Sequence, residues 1–316
     1  MKIVLLDGLA LNDDLNWDSL KELGECRLYD RTPVDDNHEI INRISHTPIV
    51  LTHKTPINAE VIHNSPQLKY IGIMGTGYDV VDVKAAREAG ITVTTVPTYA
   101  SDAVAQFTFA LLLEVTNHVI SYQNGSLNNQ LTDFKGNPLT ALRGKTFGLI
   151  GYGAIAQRVA QIAHAFSMTV IFYNHRPKTV HEKWLQQVSL DELLTRSDVI
   201  SLHVIQTPQT INLINQATIN LMKSNVILLN TARGKLINEA DLAAALNSDR
   251  VGAAALDVVS SEPIKSDNPL LTATNCMITP HIAWASRETR ARLLAISVDN
   301  LKEFLAGRQQ NIITYK

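Results

Sequence analysis

Three side chains in the C-terminal half of the sequence could together act on an oxygen-bearing carbon next to a carboxylate. Arg233 lies in Asn230-Thr231-Ala232-Arg233-Gly234, just past an apolar run. Its planar guanidinium can grip a carboxylate through paired hydrogen bonds and polarise the neighbouring carbonyl. His281 follows Pro280, and an imidazole titrates near neutral pH, so it can give a proton in reduction and take one in oxidation. Glu262, in the loop before that segment, could hydrogen-bond the other ring nitrogen, orient the imidazole and favour its charged form. Asp257 is a weaker candidate in the same stretch. Taken singly, each residue has a plainer role, as a turn arginine, a structural histidine or a solvated acid. As a set they lack only a hydride donor.

A place for such a donor lies upstream. Gly151-Tyr152-Gly153-Ala154-Ile155-Ala156 reads GxGxxA, a pattern too short to mean much without context. Here a strand-like run, residues 146–150, leads directly into it. The helix after it puts Ile155, Val159, Ile162, Ala163 and Phe166 on one face. Gly151 would make the tight turn, Gly153 would let the backbone approach a pyrophosphate, and Ala156 would allow close helix–strand contact. The amides of Ala154 and Ile155 then open a helix whose N-terminus suits phosphate. About 20 residues on, NAD-specific sites usually place an acid on the ribose. This chain has Asn174-His175-Arg176 instead. No carboxylate repels a 2′-phosphate and Arg176 could neutralise one, which favours NADP(H) and leaves NAD(H) open. Arg176 as a mere solvated loop charge is the alternative.

The elements that must position these groups follow from the apolar pattern. Residues 3–6, 49–51, 70–74 and 91–96 read as strands, with helices at 17–23, 57–63 and 80–88 between them, the mark of a parallel α/β sheet. A long helix is expected at 100–116 and an irregular polar connection at 124–138. A second series has strands at 146–150, 169–173, 199–203, 226–230, 253–256 and 277–279, six in all, as in a dinucleotide-binding sheet. The last helix, 287–305, follows the completed second sheet and is expected to return to the first lobe. The expected division is therefore 1–100 with 285–316 as a discontinuous substrate domain and 101–284 as a dinucleotide-binding domain. Two crossings between them would form a hinge around a cleft.

Composition narrows the classes. The 316 residues are 45% hydrophobic, enough for two cores, and 28 Lys+Arg against 30 Asp+Glu give a net charge of −2. No basic excess is present to hold a phosphate backbone, which counts against nucleic acid as a partner. No run of 18 apolar residues suggests a membrane span. The N-terminus enters a strand directly, without the pattern of an export signal, so a cytoplasmic protein is expected. Two cysteines, Cys26 and Cys276, cannot make a disulfide framework or a thiolate zinc cage and are expected to be buried small apolar residues. The ten histidines show no ligand spacing, so no metal is expected.

Several separated segments also carry a resemblance: GTGYDVVDVKAAREAGITVTTVP from Gly75, DAVAQFTFALLL from Asp102, GLIGYGAIAQ from Gly148, NTARGKLINEADLAAAL from Asn230, ALDVVSSEP from Ala255 and TPHIAWAS from Thr279. Over essentially its whole length the chain resembles the D-isomer-specific 2-hydroxyacid dehydrogenases, most closely the glycerate dehydrogenase/hydroxypyruvate reductase branch. The resemblance implies two Rossmann-like α/β lobes, a dinucleotide-binding domain inserted in a flavodoxin-like substrate domain, and usually a homodimer built through the cofactor domain. It implies hydride transfer between NAD(P)H and C2 of a small 2-oxo acid, with hydroxypyruvate or glyoxylate foremost. It supports Gly75, Thr76 and Gly77 as a nest of amides for the substrate carboxylate, beside Arg233 and His281. To the cofactor site it assigns Thr76, Val204, Pro208, Thr231, Ala232, Arg233, His281 and Asp257, the last facing the nicotinamide amide. Lys54 could line the substrate mouth or be solvated, and Trp284 could shape the pocket or fill a domain joint. A phosphoglycerate-type dehydrogenase and a dinucleotide-sensing, corepressor-like binding protein are the rival readings.

Overall fold

Short β-branched runs make the strands, and their order along each sheet decides which loops become neighbours. The computed structural model describes residues 1–11, 14–127 and 139–314. It falls into two compact units, Met1–Ala100 with Ala285–Lys316, and Ser101–Trp284.

The first unit runs β1 (Lys2–Leu5), α1 (Asp18–Lys21), β2 (Glu25–Leu28), α2 (Asn37–Ile44), β3 (Ile49–Thr52), α3 (Ala59–His63), β4 (Tyr70–Ile73), α4 (Val83–Glu88) and β5 (Thr92–Thr94). All pairings are parallel, in the order β2-β1-β3-β4-β5, which is the flavodoxin-like arrangement. Two of these elements escape the apolar pattern. The edge strand β2 is Glu-Cys-Arg-Leu, with no residue buried. Helix α2 buries only Ile40 and Ile44 and owes its start to Asp36, whose side chain accepts from Glu39 N.

The second unit runs α5 (Ser101–Asn117), α6 (Val119–Leu127), β6 (Thr146–Ile150), α7 (Ala154–Ala165), β7 (Thr169–Tyr173), β8 (Leu185–Gln187), α8 (Leu190–Arg196), β9 (Val199–Leu202), α9 (Gln216–Leu221), β10 (Val226–Asn230), α10 (Glu239–Asn247), β11 (Val251–Leu256) and β12 (Cys276–Ile278). Seven parallel strands lie in the order β12-β11-β10-β9-β6-β7-β8. This is the doubly wound order with one strand added, and the strand order reverses between β6 and β9. The six expected strands become seven because β8, Leu-Gln-Gln, is a short polar edge. Of the connection expected at 124–138, residues 124–127 complete α6, and 128–138 lie outside the described residues.

Side chains alternate between two cores, as a sheet covered on both faces requires. Ile227 and Leu229 of β10 join Phe147, Phe172, Phe109 of α5 and Val159 of α7. Val226 and Leu228 join Leu193, Ile219 and Leu242 from α8, α9 and α10. Phe166, expected on the buried face of α7, is 38% exposed and stacks on Phe109 at 5.4 Å. Cys26 and Cys276 are half-buried rather than buried, and both are free.

The last helix, α11 (Arg287–Leu305), belongs to the first unit. Phe304 meets Tyr70 of β4 at 4.8 Å between ring centroids, and Asn300 donates to the Thr95 carbonyl. Arg290 grips Asp14 with two nitrogens. The chain then adds backbone bonds from Thr95 N to Asn311 O (3.1 Å) and from Ile313 N to Val93 O (3.0 Å).

At the reversal between β6 and β9, His203 N donates to Ile150 O (2.7 Å), and the His203 ring meets Ser201 Oγ at 2.9 Å. Burial draws this imidazole from 6.5 down to about 3. Between those values the unfolded chain binds a proton that the native one refuses. Stability is therefore intact above pH 6.5 and falls on acidification, by up to about 1.4 kcal/mol per pH unit. Thermal melts of His203→Gln from pH 7 to 4 should show a flatter loss of Tm than the unaltered protein.

Candidate active site

The carboxyl ends of the second unit's strands carry one predicted group after another. Gly151 follows β6, Asn174 follows β7, Val204 lies just past β9, Thr231 to Arg233 follow β10, Asp257 follows β11, and His281 lies just past β12. That edge, at a topological switch point, is where open α/β sheets bind ligands.

At the glycine turn, Gly151 has φ +95°, and a Cβ there would come within 2.5 Å of the His203 carbonyl oxygen and 2.9 Å of Val204 Cγ1. Only glycine fits. Gly153 is the extended N-cap of α7 (φ −91°, ψ −170°), with open space where a Cβ would stand. Ala154 and Ile155 begin the helix, whose first amides have no acceptor within it, while Ala156 is fully buried. Open space, free amides and a positive helix end fit the pyrophosphate of a dinucleotide.

The loop after β7 is braced from within. Asn174 Oδ1 accepts from Tyr152 N (3.3 Å) and its amide donates to Arg176 O (2.8 Å). Gln187 of β8 donates to the carbonyls of Asn174 and Arg176 and accepts from Lys178 N. His175 and Arg176 stand exposed on this loop. Pro208 is exposed too, in a turn closed by Thr207 N donating to Thr210 Oγ1 (2.7 Å).

Arg233 is presented by a buried clamp. Asn230 is 0% exposed; its oxygen accepts from Ala232 N and its amide donates to Arg233 O, both at 2.9 Å. Thr231 Oγ1 meets Thr108 Oγ1 of α5 at 3.1 Å, and Arg233 Nη1 donates to Ala232 O (2.8 Å).

His281 Nδ1 lies 2.7 Å from Glu262 Oε2, and the two side chains are 25% and 31% exposed. The histidine backbone is left-handed, φ +56°, a costly conformation that its surroundings must enforce. Asp257, fully buried, does so. Its Oδ1 accepts from Thr279 Oγ1 (2.6 Å) and Ile282 N (2.9 Å), and its Oδ2 from Ala283 N (2.8 Å). The carboxylate is thus turned toward its own chain, not outward as a loop acid would be. Trp284, 8% exposed, donates from its indole to His281 O (3.0 Å) and braces the same loop.

In the first unit, Gly75 is buried and its carbonyl accepts from Val96 N (2.9 Å), while Thr76 Oγ1 donates to Val96 O (2.8 Å). The turn that opens at Gly75 and Thr76 is thus pinned by Val96. Lys54 is exposed, but the backbone around it is fixed, because Asp7 accepts from the amides of His53, Lys54 and Thr55.

Asn230 and Trp284 brace backbone within three residues of themselves and were missed because neither side chain carries reacting chemistry. The inward use of Asp257 depends on a distant segment, which local patterns do not show.

Residues 109–283 match the family described as D-isomer specific 2-hydroxyacid dehydrogenase, NAD binding domain. A hydroxypyruvate reductase from Blautia hydrogenotrophica is 48% identical over 99% of both chains. A glycerate dehydrogenase from Methylorubrum extorquens is 35% identical, covering 99% of this chain and 98% of its own. The solved acyclic imino acid reductase Bsp5, in complex with NADPH and D-Arg, superposes with a TM-score of 0.91 at 34% identity, covering 99% of this chain and 100% of its own. Sequence and architecture agree along the whole length, and the chain belongs to the D-isomer-specific 2-hydroxyacid dehydrogenases.

Proposed function

We propose that this dehydrogenase reduces a small 2-oxo acid, hydroxypyruvate to D-glycerate or glyoxylate to glycolate, with NADPH preferred. The observation that carries the reading is the 2.7 Å contact between His281 Nδ1 and Glu262 Oε2, on the sheet edge that also presents Arg233. The 48% identity to a hydroxypyruvate reductase supports the substrate class.

When bound, the nicotinamide dinucleotide supplies the hydride that reaches C2. Gly151, Gly153, Ala154 and Ile155 would hold its pyrophosphate, with Val204, Pro208, Thr231, Ala232 and Asp257 along the rest of its length. Arg233 holds the substrate carboxylate and draws charge from the ketone. Glu262 keeps Nδ1 of His281 occupied, so Nε2 is the nitrogen that gives its proton to the ketone oxygen; the alcohol forms and a neutral imidazole remains. The turn of Gly75, Thr76 and Gly77 is assigned to carboxylate binding in the first unit.

The loop of Asn174, His175 and Arg176 supports NADPH: it carries no carboxylate and exposes a guanidinium. The second unit also has a groove between α5 and α7, with Ala110, Leu113 and Ile162 in its lining beside Gln106, Gln161 and the ion pair of Asp102 with Arg158 (2.8 Å). We assign this mixed face to a second copy of the chain. Two free cysteines suit a reducing, cytoplasmic setting.

His281→Ala and Glu262→Gln should each lower kcat for hydroxypyruvate reduction, the former by about 10²–10⁴-fold, with dinucleotide binding measured by fluorescence nearly unchanged. Turnover preserved in His281→Ala would refute the mechanism. Arg176→Ala should cut kcat/KM with NADPH by about 10- to 100-fold relative to NADH; an unchanged ratio refutes the cofactor preference. Ala110→Arg should convert a dimer to a monomer in light scattering, and a dimer that persists refutes the assigned face.

A further inference from the structure

We infer that Glu239, on a helix that carries none of the reacting groups, is a positioning residue for the acid–base pair. It fastens the loop that holds Glu262 against His281. The inference rests on the proposed role of that pair.

Glu239 is the first residue of α10, and the helix start is already capped by Asn238, whose side chain accepts from Asp241 N. The Glu239 carboxylate is turned away to the loop after β11. One oxygen accepts from Ser260 N (2.7 Å), and the other from Ser260 Oγ (2.6 Å) and Asn268 Nδ2 (2.9 Å). Three donors from two points of the loop converge on one half-buried carboxylate, and hydrogen bonds to a charged acceptor are the strong kind. Ser260 lies two residues before Glu262.

The other side of the same loop is closed by Gly234, the neighbour of Arg233. A Cβ there would run into the Val259 carbonyl and Ser260 N. The segment from Val259 to Ser260 is therefore gripped between Gly234 and Glu239, with Asp257 ahead of it and Glu262 behind. Releasing the Glu239 side lets the loop shift, and Glu262 moves with it relative to His281 Nδ1. Glu239 touches none of the reacting groups. Its effect is on orientation, where an error of 1 Å can cost about 100-fold in rate.

The test uses the full-length protein with hydroxypyruvate and NADPH, comparing Glu239→Ala, Glu239→Gln, Ser260→Ala and Glu262→Gln. Glu239→Ala should lower kcat about 10- to 100-fold and leave KM for the dinucleotide within about twofold. KM for hydroxypyruvate should also stay within about twofold, because Arg233 is held by the Asn230 clamp and not by Glu239. Glu239→Gln keeps an acceptor for Ser260 N and should recover part of the lost kcat. Should Glu239→Ala not fold, Glu239→Gln and Ser260→Ala carry the test, each with a smaller change in the same direction. A kcat that stays at the unaltered level overturns the inference, as does a loss of kcat accompanied by a rise in KM for hydroxypyruvate beyond about twofold. Glu262→Gln separates the two claims. If its kcat falls while the Glu239 and Ser260 variants keep theirs, only the role of Glu239 fails; if none falls, the acid–base reading itself fails.

Discussion

The buried carboxylate of Asp257 is the constraint on which the rest of the chemistry depends. It accepts from Thr279 Oγ1, Ile282 N and Ala283 N, so the loop through His281 can close only one way around it. Left-handed backbone at a histidine costs about 1–3 kcal/mol, and hydrogen bonds to a charged group contribute about 1.5–3 kcal/mol each. Three of them outweigh the strain. The imidazole is thereby held by the far end of β11 as well as by its own strand. Because β10, β11 and β12 are adjacent and parallel, Arg233, Glu262 and His281 come from consecutive loops of one sheet edge.

The same principle governs the dinucleotide side. The glycine turn is shaped by what lies beneath it: the His203 carbonyl and Val204 leave no room for a side chain at Gly151. The loop that would meet the adenosine ribose is tied to the turn through Asn174 and to the sheet edge through Gln187. Arg176 thus projects from a braced loop, so a charge placed there keeps its position when a phosphate arrives.

Local pattern carried much of this. Strands β6, β7 and β10 and helix α11 lie at the bounds read from apolar runs, because those runs are long and flanked by turn residues. The Arg–Glu–His set was legible because each member follows a strand end. What was not legible has a common cause. Strand β2 and strand β8 are edges with polar residues, and neither burial nor alternation marks them. Phe166 was placed on the buried face by periodicity, yet it sits at the helix C-cap, where the chain leaves the helical path. Asp257 reads as a loop acid until Thr279, Ile282 and Ala283 are seen around it, and Glu239 reads as a helix-start acid until Ser260 and Asn268 are. Such side chains serve distant backbone, and no spacing rule reaches that far.

The return of α11 has a consequence for synthesis. Residues 101–284 are contiguous, so the nucleotide-binding unit can fold once they have left the ribosome. The first unit, although translated earlier, must wait: Tyr70 lacks Phe304, Asp14 lacks Arg290, and β5 lacks its partners at Asn311 and Ile313 until the final stretch emerges. The first unit is therefore completed after the second although its strands are made before it, and a nascent chain carries that unfinished face until residues 285–313 emerge.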